Sequence, residues 1–109
     1  MNTIAVAERH FQIGQIYFGS GNYVSAIREL DAAIVAYEQG QHLAGKAACL
    51  NTIGLSYVNL GRTDIATKYF NDSLSILLAL GDKHGMAQVG LSLGATWVDL
   101  GMYTQARDA

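Results

Sequence analysis

The stretch LNTIGLSYVNLG, residues 50–61, decides the fold of this chain, because related stretches stand forty residues before and after it. HFQIGQIYFGSG occupies residues 10–21, and GLSLGATWVDLG occupies residues 90–101. Glycine stands at the fifth and last positions of all three stretches, and isoleucine or leucine precedes the first of these glycines. Self-similarity at a fixed period of this length is the signature of stacked supersecondary units. The sequence therefore predicts a repeat array.

The same register holds in other parts of the chain. Two columns contain only alanine and one contains only aromatic residues: Ala7, Ala47 and Ala87; Ala26, Ala66 and Ala106; Tyr17, Tyr57 and Trp97. A glycine inside a helix costs about 1 kcal/mol relative to alanine. The column Gly14, Gly54 and Gly94 therefore indicates a place where two helices approach closely. We expect the column that begins at Ala26 to lie against these glycines, and the aromatic column to pack in the core.

Apolar spacing divides each unit into two helices. Over residues 44–60, apolar side chains recur three and four residues apart, as on one face of a helix. Gly61 offers the left-handed conformation that ends a helix, and a second helix with the same periodicity continues to Leu80. The third unit supplies a first helix near residues 83–100 and is then incomplete. The predicted boundaries are a single domain over residues 1–109, with units at about 3–42, 43–82 and 83–109.

The second unit resembles the signature of the tetratricopeptide repeat family. The residues that carry the resemblance are LNTIGLSY (50–57), LG (60–61), Ala66, Phe70 and Leu74. The forty-residue period, with Leu80-Gly81-Asp82 between units, is similar to the longer subclass found in Leu-Gly-Asn polarity adaptors and in bacterial peptide-sensing regulators. The resemblance implies an all-α fold of antiparallel helix-turn-helix repeats, stacked as a right-handed α-solenoid of about two and a half units. It also implies a concave face that binds proteins or peptides, without specifying which.

The first helix of each unit is apolar on a second face, which we expect to line the concave side as a peptide-binding groove. The predicted groove residues are Phe11, Gln15, Phe18, Asn51, Leu55, Val58, Asn59, Leu91, Ala95, Val98 and Asp99. Asn51 and Asn59 are expected to bond the backbone of the peptide. The alternative is that Phe11 and Phe18 only pack between neighbouring units. Lysine and arginine are missing from this set, which disfavours capture of a C-terminal carboxylate.

Composition excludes several classes of protein. Half of the 109 residues are apolar and 15% are charged, so the chain should fold, and its apolar stretches are too short to span a membrane. A net charge of −2 with seven scattered lysines and arginines gives no basic face, so nucleic acid is not expected as a partner. The single cysteine and an N-terminus without a signal-peptide pattern favour the cytoplasm.

The sequence offers no catalytic or metal-binding constellation. His10, His42 and His84 do not have metal-ligand spacing, and the last two fall near junctions between units, where a histidine is usually solvated. Cys49 lies among small apolar residues and is expected to be an inert buried thiol. We therefore expect no enzyme activity, no cofactor and no bound metal.

Three functional hypotheses follow. The first is a scaffold that binds a protein or peptide ligand on its concave face. The second is a ligand-sensing segment of a larger bacterial regulator, in which ligand binding changes the curvature of the array. The third is self-assembly, because the incomplete last unit leaves Leu93, Trp97 and Val98 without their full cover, and pairing of chains would bury them. This predicts a homo-oligomer formed through the C-terminal repeat.

Overall fold

The computed structural model describes the backbone of residues 2–108 and the side chains of residues 2–97. Its five helices are α1 (Thr3–Gly19), α2 (Tyr23–Gln39), α3 (Leu43–Asn59), α4 (Thr63–Leu80) and α5 (Lys83–Asp108). They form the antiparallel pairs α1–α2 and α3–α4, while α2 packs on α3 and α4 packs on α5. The result is an elongated body of 57 × 31 × 17 Å. The expected all-α repeat array is confirmed.

Left-handed residues close the short turns between the helices. Gly21, Gly61 and Gly81 have φ values of 82°, 78° and 70°, which favour glycine because they bring a Cβ too close to the backbone. At the remaining turn Gln41 adopts φ 57°. These turns are only a few residues long, so each helix returns antiparallel along the one before it.

The first helix of every unit begins with a side chain that caps its free backbone N–H groups. The caps stand forty residues apart, at Asn2, His42 and Asp82, and accept bonds from Ile4 N (3.1 Å), Gly45 N (2.9 Å) and Gly85 N (2.9 Å) respectively. Each bond satisfies one of the donors that a helix start leaves unpaired. His42 accepts through Nδ1 and its ring packs against Tyr37, so this exposed junction residue also caps a helix. Comparison of the repeats in sequence does not identify these three capping residues as equivalent, because their residue types differ.

The glycine column marks the close approach of paired helices, but the contact is made by a different column from the one predicted. A Cβ on Gly14 would lie 2.8 Å from Leu30 Cγ, and one on Gly54 would lie 2.6 Å from the ring of Phe70. The nearest atom of Ala26 is its carbonyl oxygen, at 3.4 Å from the Gly14 position. Ala26 therefore comes near Gly14 as expected, but the side chain that occupies the space beside the glycine is that of Leu30. Helical side chains lean toward the N-terminus of their helix, so residue 30 covers the turn that begins at residue 26.

The expectation that the aromatic column packs in the core holds for one of its three residues. Tyr57 is half-buried and stacks on Tyr69 of α4, with ring centroids 5.5 Å apart. Tyr17 is 36% exposed, because the position equivalent to Tyr69 holds Glu29, whose carboxylate pairs with His10 Nδ1 at 2.7 Å. Trp97 is 58% exposed, because no second helix of the third unit covers it in the described part of the chain. Core packing therefore holds for Tyr57 only.

The last helix does not turn where the first two units do. The sequence predicted a first helix near residues 83–100, whereas α5 passes through Gly101 without a break and continues to Asp108. Extending an existing helix adds one backbone hydrogen bond per residue without a new turn. No described atom lies within 4 Å of the Cβ position of Gly94, so α5 is open on this side, although the adjacent Leu93 is buried.

Replacing two equivalent glycines by alanine should therefore have opposite effects. We expect Gly54→Ala to lower the free energy of unfolding by about 1–3 kcal/mol, because the added methyl group would displace the fully buried Phe70 ring. Gly94→Ala should raise the free energy of unfolding by up to about 1 kcal/mol, which is the difference in helix propensity. Urea unfolding followed by circular dichroism measures both. Destabilisation of the same size in the two variants would contradict the packing described here.

Candidate binding groove

A groove of about 540 Å³ opens on the face formed by α1, α3 and α5. Its lining residues are Phe11, Gln15, Phe18, Ala44, Ala48, Asn51, Thr52, Leu55, Leu77, Asp82, Gly85, Gln88 and Val89. Helix α3 supplies the middle of the groove, α1 supplies one wall, and the α4–α5 turn with the start of α5 supplies the other. The small side chains of Ala44 and Ala48 leave room between these walls.

The structure brings together part of the predicted groove set. The residues that line the cavity are Phe11, Gln15, Phe18, Asn51 and Leu55. Those that lie outside it are Val58, Asn59, Leu91 and Ala95. Val98 and Asp99 fall outside the part of the chain whose side chains are described. The lining residues that the sequence prediction missed are Ala44, Ala48 and Thr52 on α3, Leu77 on α4, Asp82 in the α4–α5 turn, and Gly85, Gln88 and Val89 on α5.

The difference has a geometric cause. The prediction placed the groove at the same repeat positions in every unit. In the structure the lining residues fall at 11–18 on α1, at 44–55 on α3 and at 82–89 on α5, so the cavity crosses successive first helices nearer to their N-termini. Stacked repeats are rotated relative to one another, and a straight cavity across a twisted stack meets a different level of each helix. Leu91 is 76% exposed because it lies beyond this crossing.

The aromatic wall on α1 belongs to both the core and the groove. Phe11 and Phe18 pack against the cluster of buried residues around Leu30 and Ile53, and the ring of Phe18 meets Tyr23 edge-on at 5.6 Å. Both rings are half-buried, and both line the cavity. Packing between units and lining of the groove are therefore compatible, since the core fixes the rings that the groove presents.

Asn51 carries an unsatisfied acceptor at the centre of the groove. Its Oδ1 is buried and has no hydrogen-bond partner among the described residues. Leaving a buried acceptor unpaired costs about 1–3 kcal/mol. Rotation of the amide group about the Cβ–Cγ bond would turn Oδ1 toward the cavity, where an N–H donor of a ligand would satisfy it.

Cys49 cannot act as a nucleophile in this setting. The thiol is fully buried, and desolvation, followed by the negative charge of Asp31, raises its pKa from 9.0 to about 12. A thiol with this pKa stays protonated near neutral pH, and the thiolate is the reactive form. The described residues hold no cluster of three or more histidine, cysteine or acidic side chains that could bind a metal ion. Over the same residues, no helix has the length and apolar character needed to cross a membrane.

Comparison with known proteins identifies the repeat. Residues 47–77 match the family model of the tetratricopeptide repeat. This stretch is a tetratricopeptide repeat. It contains the residues on which the resemblance was recognised, and the recognition is confirmed. A search of curated proteins gives no match.

Among solved structures, the chain is similar to the Rap conjugation gene regulator of the plasmid pLS20 in complex with the Phr* peptide. The TM-score is 0.85 at 23% sequence identity, and the match covers 90% of this chain. It covers 27% of the regulator, so the chain spans about a quarter of that protein's length. At this identity the likeness establishes the shared tetratricopeptide repeat fold.

Burial of Cys49 predicts resistance to alkylation. Iodoacetamide should leave the folded chain unmodified at pH 8 and label it once urea unfolds it, which mass spectrometry would measure. Because the folded pKa lies above the ordinary value of 9.0, unfolding releases a proton between pH 9 and about 12. The free energy of unfolding should therefore fall with rising pH by up to about 1.4 kcal/mol per unit in this range.

The control is Cys49→Ala, which should lose this part of the pH dependence while keeping the contribution of Tyr69, whose pKa burial also raises. Rapid labelling of the folded wild type at pH 8 would contradict the burial of the thiol. Equal pH dependence of the two chains would contradict its raised pKa.

Proposed function

We propose that this tetratricopeptide repeat chain is a non-enzymatic scaffold that binds a peptide or an extended protein segment in the groove across α1, α3 and α5. The single observation that carries the proposal is a preformed cavity of about 540 Å³ lined by Asn51, whose buried Oδ1 has no hydrogen-bond partner among the described residues. Concave sites with mostly apolar walls and a few placed polar groups are the usual form of a ligand site. We place the protein in the cytoplasm, where a free cysteine is stable.

The chemistry of the lining suits a peptide. Leu55 and the half-buried rings of Phe11 and Phe18 supply apolar surface for side chains. The amides of Gln15 and Gln88 can both donate and accept hydrogen bonds. A peptide backbone needs donors and acceptors at short intervals, and Asn51 between these two glutamines meets that need. The solved complex of the Rap regulator with a peptide supports this ligand class.

Asn51 gives the sharpest test, because its roles in folding and in binding oppose each other. Asn51→Leu removes the unpaired acceptor and should raise the free energy of unfolding by about 1 kcal/mol. The same change should weaken peptide binding by about tenfold, since a ligand N–H loses its acceptor. Chemical denaturation and fluorescence anisotropy with peptides selected from a random hexapeptide library measure the two effects.

Asn59→Leu is the matched control. Asn59 lies on the same helix but outside the groove, and its Nδ2 donates to Leu55 O at 2.9 Å. This variant should leave peptide affinity unchanged. Failure of every library peptide to bind the wild type, or unchanged affinity in Asn51→Leu, would refute the groove as the site.

A sensing role within a larger regulator is the second candidate. The observation that favours it is that this chain matches only 27% of the Rap regulator, so a similar array is one part of that larger regulator. Sensing requires that the ligand changes the shape of the array. Small-angle scattering with and without a library peptide distinguishes the two roles: a shifted radius of gyration supports sensing, and an unchanged one supports a static scaffold.

Self-association through the end of the array is compatible with either role. Of the residues expected to lack cover, Leu93 is buried and Trp97 is 58% exposed, while the side chain of Val98 lies outside the described part of the chain. Leu78 on α4 and Leu91 on α5 are also exposed over more than half of their surface. Burying such surface against a second copy would be favourable. Trp97 is the only tryptophan in the chain, so its emission reports directly on this face.

We therefore expect the tryptophan emission to shift to shorter wavelength as protein concentration rises, with a parallel increase in mass by sedimentation. Trp97→Lys should remain monomeric at the same concentrations. A constant monomer mass up to high micromolar concentration would refute self-association.

A further inference from the structure

We propose that the groove selects peptides that carry a cationic group, held by the carboxylate of Asp82 at the α5 end. The cation is either a free N-terminal amine or a lysine or arginine side chain. This inference rests on the proposed peptide-binding function and adds the charge and the direction of the ligand.

Asp82 is fixed in place before any ligand arrives. It lies between α4 and α5, lines the groove, and is half-buried. Its Oδ1 accepts the backbone N–H of Gly85 at 2.9 Å. Its Oδ2 would be 2.8 Å from a Cβ at residue 85, so glycine at that position lets the carboxylate lie against the first turn of α5. A preorganised carboxylate loses little side-chain entropy when it binds a cation.

The charge of Asp82 is not matched within the groove. The other lining residues are apolar, or carry amides or a hydroxyl, and none is a lysine or arginine. The ion pairs among the described residues join His10 to Glu29, Lys46 to Glu38 and Arg62 to Asp64. Lys83 and His84 follow Asp82 in sequence, but both are exposed and neither lines the cavity. Charge complementarity therefore favours a cationic ligand and disfavours an anionic one.

The arrangement also gives the ligand a direction. The Asp82 carboxylate stands at the α5 wall, Asn51 is central on α3, and the rings of Phe11 and Phe18 form the α1 wall. A peptide that places its cation at Asp82 would present backbone groups to Asn51 and an apolar side chain to the two rings. Opposite ends with different chemistry make the reversed orientation less favourable.

Asp82→Asn isolates the charge, because asparagine caps helices as well as aspartate does. This chain already shows such a cap at the equivalent position, where Asn2 Oδ1 accepts from Ile4 N and Ala5 N. The matched control is Asp72→Asn on α4, which removes one exposed negative charge away from the groove. Melting temperatures of the three chains check that the fold is retained.

The probe is an array of random hexapeptides, each synthesised with a free and with an acetylated N-terminus. Wild type and Asp72→Asn should retain peptides enriched in one cationic position, and Asp82→Asn should bind these peptides about five- to tenfold more weakly. Loss of binding on acetylation identifies the amine as the cation, whereas loss on replacing lysine or arginine by glutamine identifies the side chain. Affinity of the wild type for these peptides should also fall as salt rises from 50 to 500 mM, in contrast to that of Asp82→Asn.

The outcomes separate the two proposals. If no peptide binds the wild type, the proposed function fails and this inference fails with it. If peptides bind without a cationic preference, or bind wild type and Asp82→Asn equally, the groove stands and the role of Asp82 is refuted. If Asp82→Asn does not fold, a salt-independent wild-type affinity for the cationic peptides refutes the role on its own.

Discussion

The structure depends on one steric constraint, the close approach of the two helices within a unit at Gly14 and Gly54. At these points the partner helix sends in a large side chain, Leu30 or Phe70, which occupies the space that a Cβ would need. The cost of glycine in a helix is offset because the helices come near enough to bury these residues completely. This contact sets the separation within each pair. Together with the packing of α2 on α3 and of α4 on α5, it determines the spacing of the first helices and the width of the groove.

Sequence could predict the features that repeat without change. Glycine and alanine columns gave the forty-residue period, and apolar spacing with Gly61 gave the helices and their antiparallel pairing. Sequence could not predict features in which equivalent positions have the same structural role but different residue types. The caps are an asparagine, a histidine and an aspartate, and only the structure shows that Asn2, His42 and Asp82 do the same work. Position 29 and position 69 likewise hold Glu29 and Tyr69, so one aromatic residue stacks and its equivalent does not.

The sequence predicted which helices line the groove, but not the level at which the groove crosses each helix. Which helices face the concave side follows from the repeat, and five predicted residues on α1 and α3 line the cavity. The level at which the cavity crosses each helix depends on the rotation between units. That rotation is set by many small contacts across α2–α3 and α4–α5, and no single residue encodes it. For this reason the predicted residues on α5 lie too far along the helix, and Asp82 in the preceding turn was not recognised as part of the wall.

The second unit, residues 43–82, is covered on both sides, by α2 before it and by α5 after it. It also begins and ends at equivalent caps, His42 and Asp82, so its two junctions have the same geometry in outline. Such a unit is a module in the engineering sense: a second copy placed after Gly81 would follow α4 in the way that the first copy follows α2, and would precede α5. Each added copy would contribute one more first helix to the concave face. The length of the concave face is therefore a quantity that evolution or design can change in steps of forty residues, with the first helix of the added copy taking the place beside α3 that α5 now holds.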